Sequence, residues 1–451
     1  MKNMTVGNPA KLILAFSVPL MIGNIFQQLY TVVDTMVVGQ VLGNRALAAL
    51  GTTDWFNWMF LGIMSGLTQG FSILIARKFG EEDLDGMRKA TGNAILLSGI
   101  LAVFLVVAGE MLVIPVLQIL KAPADIMPVA AAYLRIVFGG MLVVMAYNIL
   151  AAILRALGDS RSPLQAMMLA AVINVGLDFL FVAVFHWGVQ GAAIATVAAQ
   201  FCSALFCLQK IRKTDIMKFK KTDFLPERKL VFRLLYLGSP MALQNVLISI
   251  GGMIVQAVVN GFGVMFIAAF TATNKLYGVL EIAAISFGYA MTTYTGQNLG
   301  AGKIDRIRKG TKDAALIGIV TAVAITLCMY LFGKSLLGLF ISGTEAERQA
   351  TVGMAFEYLW VMSVFLPVLY VLHVVRSAVQ GMGRSVLTML SGFAEFLVRT
   401  SVALLLPALI GYQALFYGEV LAWIGAVAEL LIAYFWSVRQ LAKQKFAKKN
   451  T

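Results

Sequence analysis

Twelve stretches of about 20 or more mostly apolar residues run through this chain, each long enough to cross the hydrocarbon core of a bilayer as a helix. Their approximate limits are 12–39, 53–76, 91–114, 127–152, 163–185, 190–209, 231–259, 265–296, 313–333, 352–376, 386–409 and 415–437. Only 13% of the residues are charged, against about 25% in soluble domains. Lipid is therefore the expected solvent, and the expected fold is an all-α integral membrane protein. The first apolar run follows Lys2 and Lys11 but continues to Gly39 without a small-x-small cleavage site. It reads as an attached first span, not as a cleaved signal peptide.

The formal net charge of +14 invites a nucleic-acid partner, but its placement argues against one. Of the 36 Lys and Arg residues, 29 fall in the segments assigned to the inner side and four (Arg45, Lys121, Lys334 and Arg348) in those assigned to the outer side. The remaining three, Arg135, Lys275 and Arg399, fall within spans. Basic residues collect in cytoplasmic loops, so both termini are expected in the cytoplasm of a cell whose inner membrane holds the chain. Cys202, Cys207 and Cys328 lie in apolar runs with no zinc or disulfide spacing and read as packing residues.

The chain also repeats itself. Pro19 and Asn24 match Pro240 and Asn245, and Gly43 and Gly80 match Gly263 and Gly300. Arg88, Lys89, Thr91 and Ala94 match Arg308, Lys309, Thr311 and Ala314, and Tyr133, Leu134 and Gly158 match Tyr358, Leu359 and Gly383. The expected organisation is an N-terminal six-helix lobe over 1–209, a basic cytoplasmic linker over 210–229 and a C-terminal six-helix lobe over 230–451. Six is even, so both halves enter the membrane from the same side. A pseudo-twofold along the membrane normal relates them, as in parallel-repeat transporters. Proline removes a backbone hydrogen bond and kinks a helix. Pro19 and Pro240 thus mark bent first helices, either at a cleft or as plain structural bends.

Charges inside a bilayer cost about 2.5–3.5 kcal/mol each on insertion scales, so those present are the functional candidates. Asp34 in span 1 and Asp178 in span 5 lie roughly 8–10 Å below the outer ends of their helices, at 1.5 Å per residue. Thr196 in span 6 has a similar depth. Asn174 precedes Asp178 by four residues and shares its face. Two carboxylates brought close share a proton instead of both ionising, and the same oxygens suit Na⁺. The alternative for either aspartate is a structural hydrogen bond between helices.

Gln27 lies two turns before Asp34, and Asn148 in span 4 can reach in; structural roles are the alternative for both. The 23 Met and 29 Phe residues suit a promiscuous apolar pocket as well as ordinary packing. Tyr30, Tyr133, Met167 and Phe179 are the cavity candidates. A second polar group is expected in the C-terminal lobe: Lys275, Glu281, His373, Glu395 and Arg399. Glu395 and Arg399, spaced i, i+4, can pair locally. Lys275 reads as a gate or a substrate contact. His373 either titrates near neutrality or holds a neutral helix contact. Glu419 and Glu429 fall near span ends and are expected to snorkel.

The sequence resembles the multidrug and toxic compound extrusion (MATE) family over nearly its whole length. The resemblance is carried by GNPAKLILAFSVPLMIGNIFQQLYTVVDTMVVG at 7–39, LRALGDSRSP at 154–163, NVGLDFLFV at 174–182, WGVQGAAIATVAAQ at 187–200 and VQGMGRS at 379–385. It implies twelve helices in two lobes and export driven by H⁺ or Na⁺. The DinF-like branch is the nearer likeness. It implies an ion-coupling set of Asp34, Asn174, Asp178 and Thr196, joined by Gln27 and Asn148. The acids that another bacterial branch carries in helices 7 and 10 are missing from the membrane part of helix 7, and Glu357 lies near the outer end of helix 10.

The expected function is a secondary antiporter that exports amphipathic, often cationic organic compounds by alternating access and works as a monomer among membrane lipids. No cofactor is expected beyond the coupling ion. A lipid or lipid-linked-sugar flippase of the same superfamily is the alternative, although such proteins carry a more cationic cavity. An embedded enzyme is disfavoured because no metal cluster, nucleophile elbow or phosphate loop appears.

Overall fold

The computed structural model describes residues 3–119, 126–341 and 344–449, and every regular element among them is helical. In order they are α1 (Pro9–Leu42), α2 (Asn44–Gly80), α3 (Leu84–Ile119), α4 (Met127–Gly139), α5 (Met141–Ala156), α6 (Arg161–Asp178) and α7 (Gly188–Arg212). There follow α8 (Arg228–Val259), α9 (Val264–Gly300), α10 (Ile304–Leu337), α11 (Glu345–Val364), α12 (Leu366–Gly381), α13 (Ser385–Leu405), α14 (Pro407–Ile410) and α15 (Ala414–Lys449). Among the described residues, nine apolar helical stretches and two bent helix pairs are long enough to cross a membrane. The longest stretch, Ser385–Gln444, contains α13 and α15, which pack against each other. It therefore supplies two crossings, and the expected twelve are present.

The fourth and tenth crossings are broken. Helices α4 and α5 meet at 44°, and α11 and α12 at 48°. Gly140 occupies the first break. At the second, Pro367 in the first turn of α12 has no backbone N–H to continue the ladder from α11.

The chain divides into two compact units: Met1–Asn3 with Val18–Ala242, and Met4–Ser17 with Leu243–Thr451. The division falls inside α1 and α8, beside Pro19 and Pro240. The first turns of each of these helices thus pack in a different unit from the rest of it. At the head of α1, Met4 N–H donates to Gln297 Oε1 at 2.9 Å and Asn298 Nδ2 donates to Met4 O at 3.1 Å. At the head of α8, Asn93 Nδ2 donates to Leu225 O at 3.1 Å and Asn93 Oδ1 accepts from Glu227 N–H at 2.9 Å.

The internal repeat extends to backbone geometry. Gly43 and Gly263 hold φ of 79° and 89°, and Gly158 and Gly383 hold φ of 79° and 77°, a region where a Cβ is strained. Thr91 and Thr311 each donate to the carbonyl four residues back.

In the first unit, Phe56, Phe60 and Phe138 form an aromatic cluster with ring centroids 4.9–5.2 Å apart. A Cβ on Gly109 would meet the Phe138 ring at 2.9 Å, so glycine there admits the cluster. Helices α2 and α8 touch backbone to backbone, since a Cβ on Gly70 would lie 2.4 Å from Gly238 Cα. Small residues at such seams permit the close packing on which helix association in lipid depends. In the second unit, Tyr358 stacks on Phe270 and Phe416 at 5.2 and 5.0 Å. Thr273 Oγ1 there donates to Ala355 O at 2.9 Å.

Candidate ion and substrate site

Three helices of the first unit converge on one polar centre. Helix α6 ends in Asn174 and Asp178, α7 carries Thr196, and α1 carries Asp34. Helices α6 and α7 meet through small residues: Ala166, Ala170 and Ala171 on one, and Ala192, Ala193, Ala195 and Ala199 on the other, are all buried. Ser203 Oγ ties them by donating to Ala166 O at 2.8 Å. On the far side of α7, a Cβ on Gly140 would meet Val197 Cγ2 at 2.3 Å. The break between α4 and α5 thus supports the turn of α7 that carries Thr196.

Asn174 Nδ2 donates to Thr196 Oγ1 at 3.4 Å. That leaves Asn174 Oδ1 pointing elsewhere, buried and without a hydrogen-bond partner. Asp178 is 0% exposed, and neither of its carboxylate oxygens has a hydrogen-bond partner among the described residues. Asp34 Oδ1 is likewise buried and unpartnered. The Asp34 and Asp178 carboxylates lie close enough to interact electrostatically, and Asp54 of α2 acts on Asp34 in turn. Immediately after Asp178 the helix widens into a π-helical turn, Phe179–Val184. Such turns recur at functional sites.

The surroundings are layered along the helices. One turn beyond the polar centre, Val38, Val182 and Ala192 join Ala46 and Val189 in a buried apolar cluster, with Tyr133 packed against it. These residues lie four positions after Asp34, four after Asp178 and four before Thr196. In the opposite direction Gln27, Tyr147, Met167, Ala170, Gln200 and Ser203 line a cavity of about 10 Å³, room for about one water molecule. Gly23 keeps α1 close here, since a Cβ on it would meet Met167 Sδ at 3.0 Å.

One expectation needs correction. Phe179 is 63% exposed and does not line this cavity, because it follows Asp178 by one residue and so faces away from it. Asn148 spends its amide on its own helix, Nδ2 donating to Val144 O at 2.9 Å. The side chain of Tyr30 lies outside the described residues. Asp54, Tyr147, Gln200 and Ser203 join the site without having stood out in the sequence. Gln200 follows Thr196 by four residues, and that spacing was the available signal.

The oxygens present are carboxylate, amide and hydroxyl, a hard donor set that fits a proton or a small cation such as Na⁺. No group of three His, Cys, Asp or Glu side chains suited to a metal ion occurs among the described residues. Asp34, Asn174, Asp178 and Thr196 would hold Na⁺ through four different side-chain oxygens, and the ion would supply the countercharge the two aspartates lack.

The second unit is built differently. Glu395 pairs with Arg376 of α12, not with Arg399, and Arg399 Nη2 lies 2.5 Å from Glu419 Oε2 of α15. The expected i, i+4 pair fails because both side chains reach neighbouring helices instead. Arg376 is therefore a buried ion-pair partner, 8% exposed. Glu419 is an ion-pair partner and does not snorkel. His373 Nε2 lies 3.3 Å from Glu281 Oε1. Lys275 is exposed, six residues before Glu281 and on another face of α9.

Comparison with known proteins agrees with this architecture. A family model described as MatE matches residues 19–180 and 240–405. The chain is 30% identical over 394 residues to the probable multidrug resistance protein YpnP of Bacillus subtilis, covering 87% of each protein. It is 28% identical over 344 residues to the FAD transporter of Shewanella oneidensis, covering 73% of this chain and 74% of the other. Its fold matches that of an outward-facing multidrug resistance MATE family transporter of the MOP superfamily. The TM-score is 0.89, the identity 23% and the coverage 99% of both chains.

Proposed function

The chain belongs to the MatE family of membrane transporters, and we propose that it is a secondary antiporter exporting amphipathic, often cationic organic compounds in exchange for H⁺ or Na⁺. The observation that carries this reading is Asp178: a fully buried carboxylate with both oxygens unpartnered, beside Asn174 and Thr196 and within electrostatic reach of Asp34. A buried charge without a partner is costly. A site that exists to take up and release a cation gives that cost a purpose. Ion binding then shifts the balance between outward and inward states, because only differential affinity can do so. Each translocated charge gains about 2.3 kcal/mol per 100 mV of membrane potential. The distribution of Lys and Arg supports two cytoplasmic termini, and the two repeats within one chain support a functional monomer in the bacterial inner membrane.

The similarity to the FAD transporter supports a second cargo class, flavin nucleotides, through the same coupling. The test is uptake into liposomes of a fluorescent organic cation or of a flavin nucleotide, under an imposed pH gradient or an imposed Na⁺ gradient. Wild-type uptake under one gradient, lost in both Asp34→Asn and Asp178→Asn, is the expected result. Full transport in both variants overturns the coupling site, and gradient-independent movement of lipid probes supports a flippase instead.

A further inference from the structure

Lys334 and Arg348, two of the four basic residues assigned to the outer segments, meet where α10 ends and α11 begins. Lys334, Ser335, Gly338, Glu345, Arg348 and Gln349 are among the residues lining a cavity of about 310 Å³ there, at the lower end of the range for small-molecule sites. We propose that this cavity binds the phosphate headgroup of an anionic phospholipid whose acyl chains lie along α10.

The cavity exists because the two helices touch and then part. At the contact, a Cβ on Gly333 would meet Leu359 Cδ2 at 3.0 Å and Phe356 Cε2 at 3.2 Å. Nearer the helix ends, a Cβ on Gly353 would meet nothing within 4 Å, and Arg348 leans across to α10, its Nη2 3.4 Å from where a Cβ on Gly338 would stand. Lys334 makes no ion pair among the described residues, and its Nζ lies over the Phe356 ring, 5.1 Å from the centroid. Arg348 Nη1 lies 3.8 Å from Glu345 Oε2, but the two side chains are 48% and 71% exposed, and an exposed ion pair is worth little. Glu345 also accepts from Gln349 Nε2 at 2.9 Å. Glu347 is spent on Thr344, whose hydroxyl donates to it at 2.7 Å. Two cations therefore face one acid across the cavity. A guanidinium takes a phosphate through two parallel hydrogen bonds, and an ammonium adds a point charge.

The surface leading into the cavity favours a lipid over a soluble phosphate. Leu327, Tyr330, Leu331 and Lys334 follow one face of α10 at helical spacing, and the first three are 59%, 61% and 68% exposed. The ring of Tyr330 pairs with that of Trp360 of α11, their centroids 5.4 Å apart. Tyrosine and tryptophan collect at the boundary between membrane and water. Lys334 stands one turn beyond Tyr330, roughly 6 Å along the axis at 1.5 Å per residue, which is headgroup depth. Acyl chains on Leu327 and Leu331 thus deliver a phosphate to Lys334 and Arg348, and a soluble anion has no use for that apolar wall.

The site is independent of the coupling ion and the cargo, and its test involves no transport. Native mass spectrometry of the full chain in detergent, titrated with phosphatidylglycerol or with phosphatidylcholine, reads the affinity of each bound lipid. The tightest phosphatidylglycerol should bind about fivefold more weakly in Lys334→Gln and in Arg348→Gln. Lys334→Arg and Arg348→Lys should keep most of the affinity, and Glu345→Gln, which removes the acid of the lining, should raise it. Melting of the lipid-free variants should match wild type, because both basic side chains are exposed. Phosphatidylglycerol affinity unchanged in both glutamine variants overturns the proposal, as does phosphatidylcholine bound equally tightly with the same losses. Displacement of phosphatidylglycerol by millimolar inorganic phosphate also overturns it and assigns the cavity to a soluble anion.

Discussion

The two units share a repeat but treat buried charge in opposite ways. In the first, Asp34 and Asp178 have no basic partner among the described residues, and the buried oxygens of Asp178 make no hydrogen bond. In the second, Glu281, Glu395 and Glu419 each meet a cationic or titratable side chain, and among its acids only Glu429 keeps a buried oxygen without a hydrogen bond among the described residues. An unpaired buried acid is an expensive arrangement that a bound cation relieves, whereas an ion pair is locked by its own partner. The same helical scaffold thus supports a site suited to exchange in one unit and a network suited to holding helices together in the other.

The sharpest break would come from exchanging one charged side chain for an amide in each unit. Asp178→Asn should reduce gradient-driven uptake to that of protein-free liposomes while leaving thermal stability unchanged or raised, since the amide removes a buried unpaired charge. Arg376→Gln should do the opposite, destabilising by about 3–5 kcal/mol because Glu395 is left buried and alone. Replacing both, as Arg376→Met with Glu395→Leu, should recover most of that loss. Melting in detergent with and without each substitution decides the point. An Asp178→Asn variant less stable than wild type would sink the contrast.

A smaller effect tests how the first site is supported. Gly140→Ala should cost about 1–3 kcal/mol through overpacking against Val197. It should also weaken organic-cation binding, read by fluorescence titration, because Val197 adjoins Thr196. Unchanged binding and stability together would detach the α4–α5 break from the site.

The smallest effect lies at a loop where the repeats diverge. Asp83 caps α3, its Oδ1 accepting from Gly86 N–H at 2.8 Å, whereas Lys303 precedes α10 and makes no side-chain cap. Lys78 and the Gly86 N–H hold the Asp83 carboxyl below its usual range. Its contribution is therefore present above about pH 4, the unfolded value, and is lost as pH falls through the folded one. Asp83→Ala should cost about 1 kcal/mol at pH 7 and progressively less in acid, with no counterpart for Lys303→Ala. An equal penalty at pH 3 and pH 7 would refute the assignment.

Hydropathy alone determined an all-helical, twelve-crossing chain, because a backbone in lipid must satisfy its own polar groups. The spacing of Asn174 and Asp178 along one helix was legible for the same kind of reason: it depends on 3.6 residues per turn and nothing more. Contacts between helices depend instead on tilt, rotation and crossing, which no local periodicity encodes. Only the tertiary structure decided that Glu395 meets Arg376 and Arg399 meets Glu419, that Phe179 turns outward, and that Gln200, Ser203 and Tyr147 complete a cavity. It alone divided α1 and α8 between two units and brought Gly70 onto Gly238, because small residues set how closely helices approach, and that approach sets which side chains can touch.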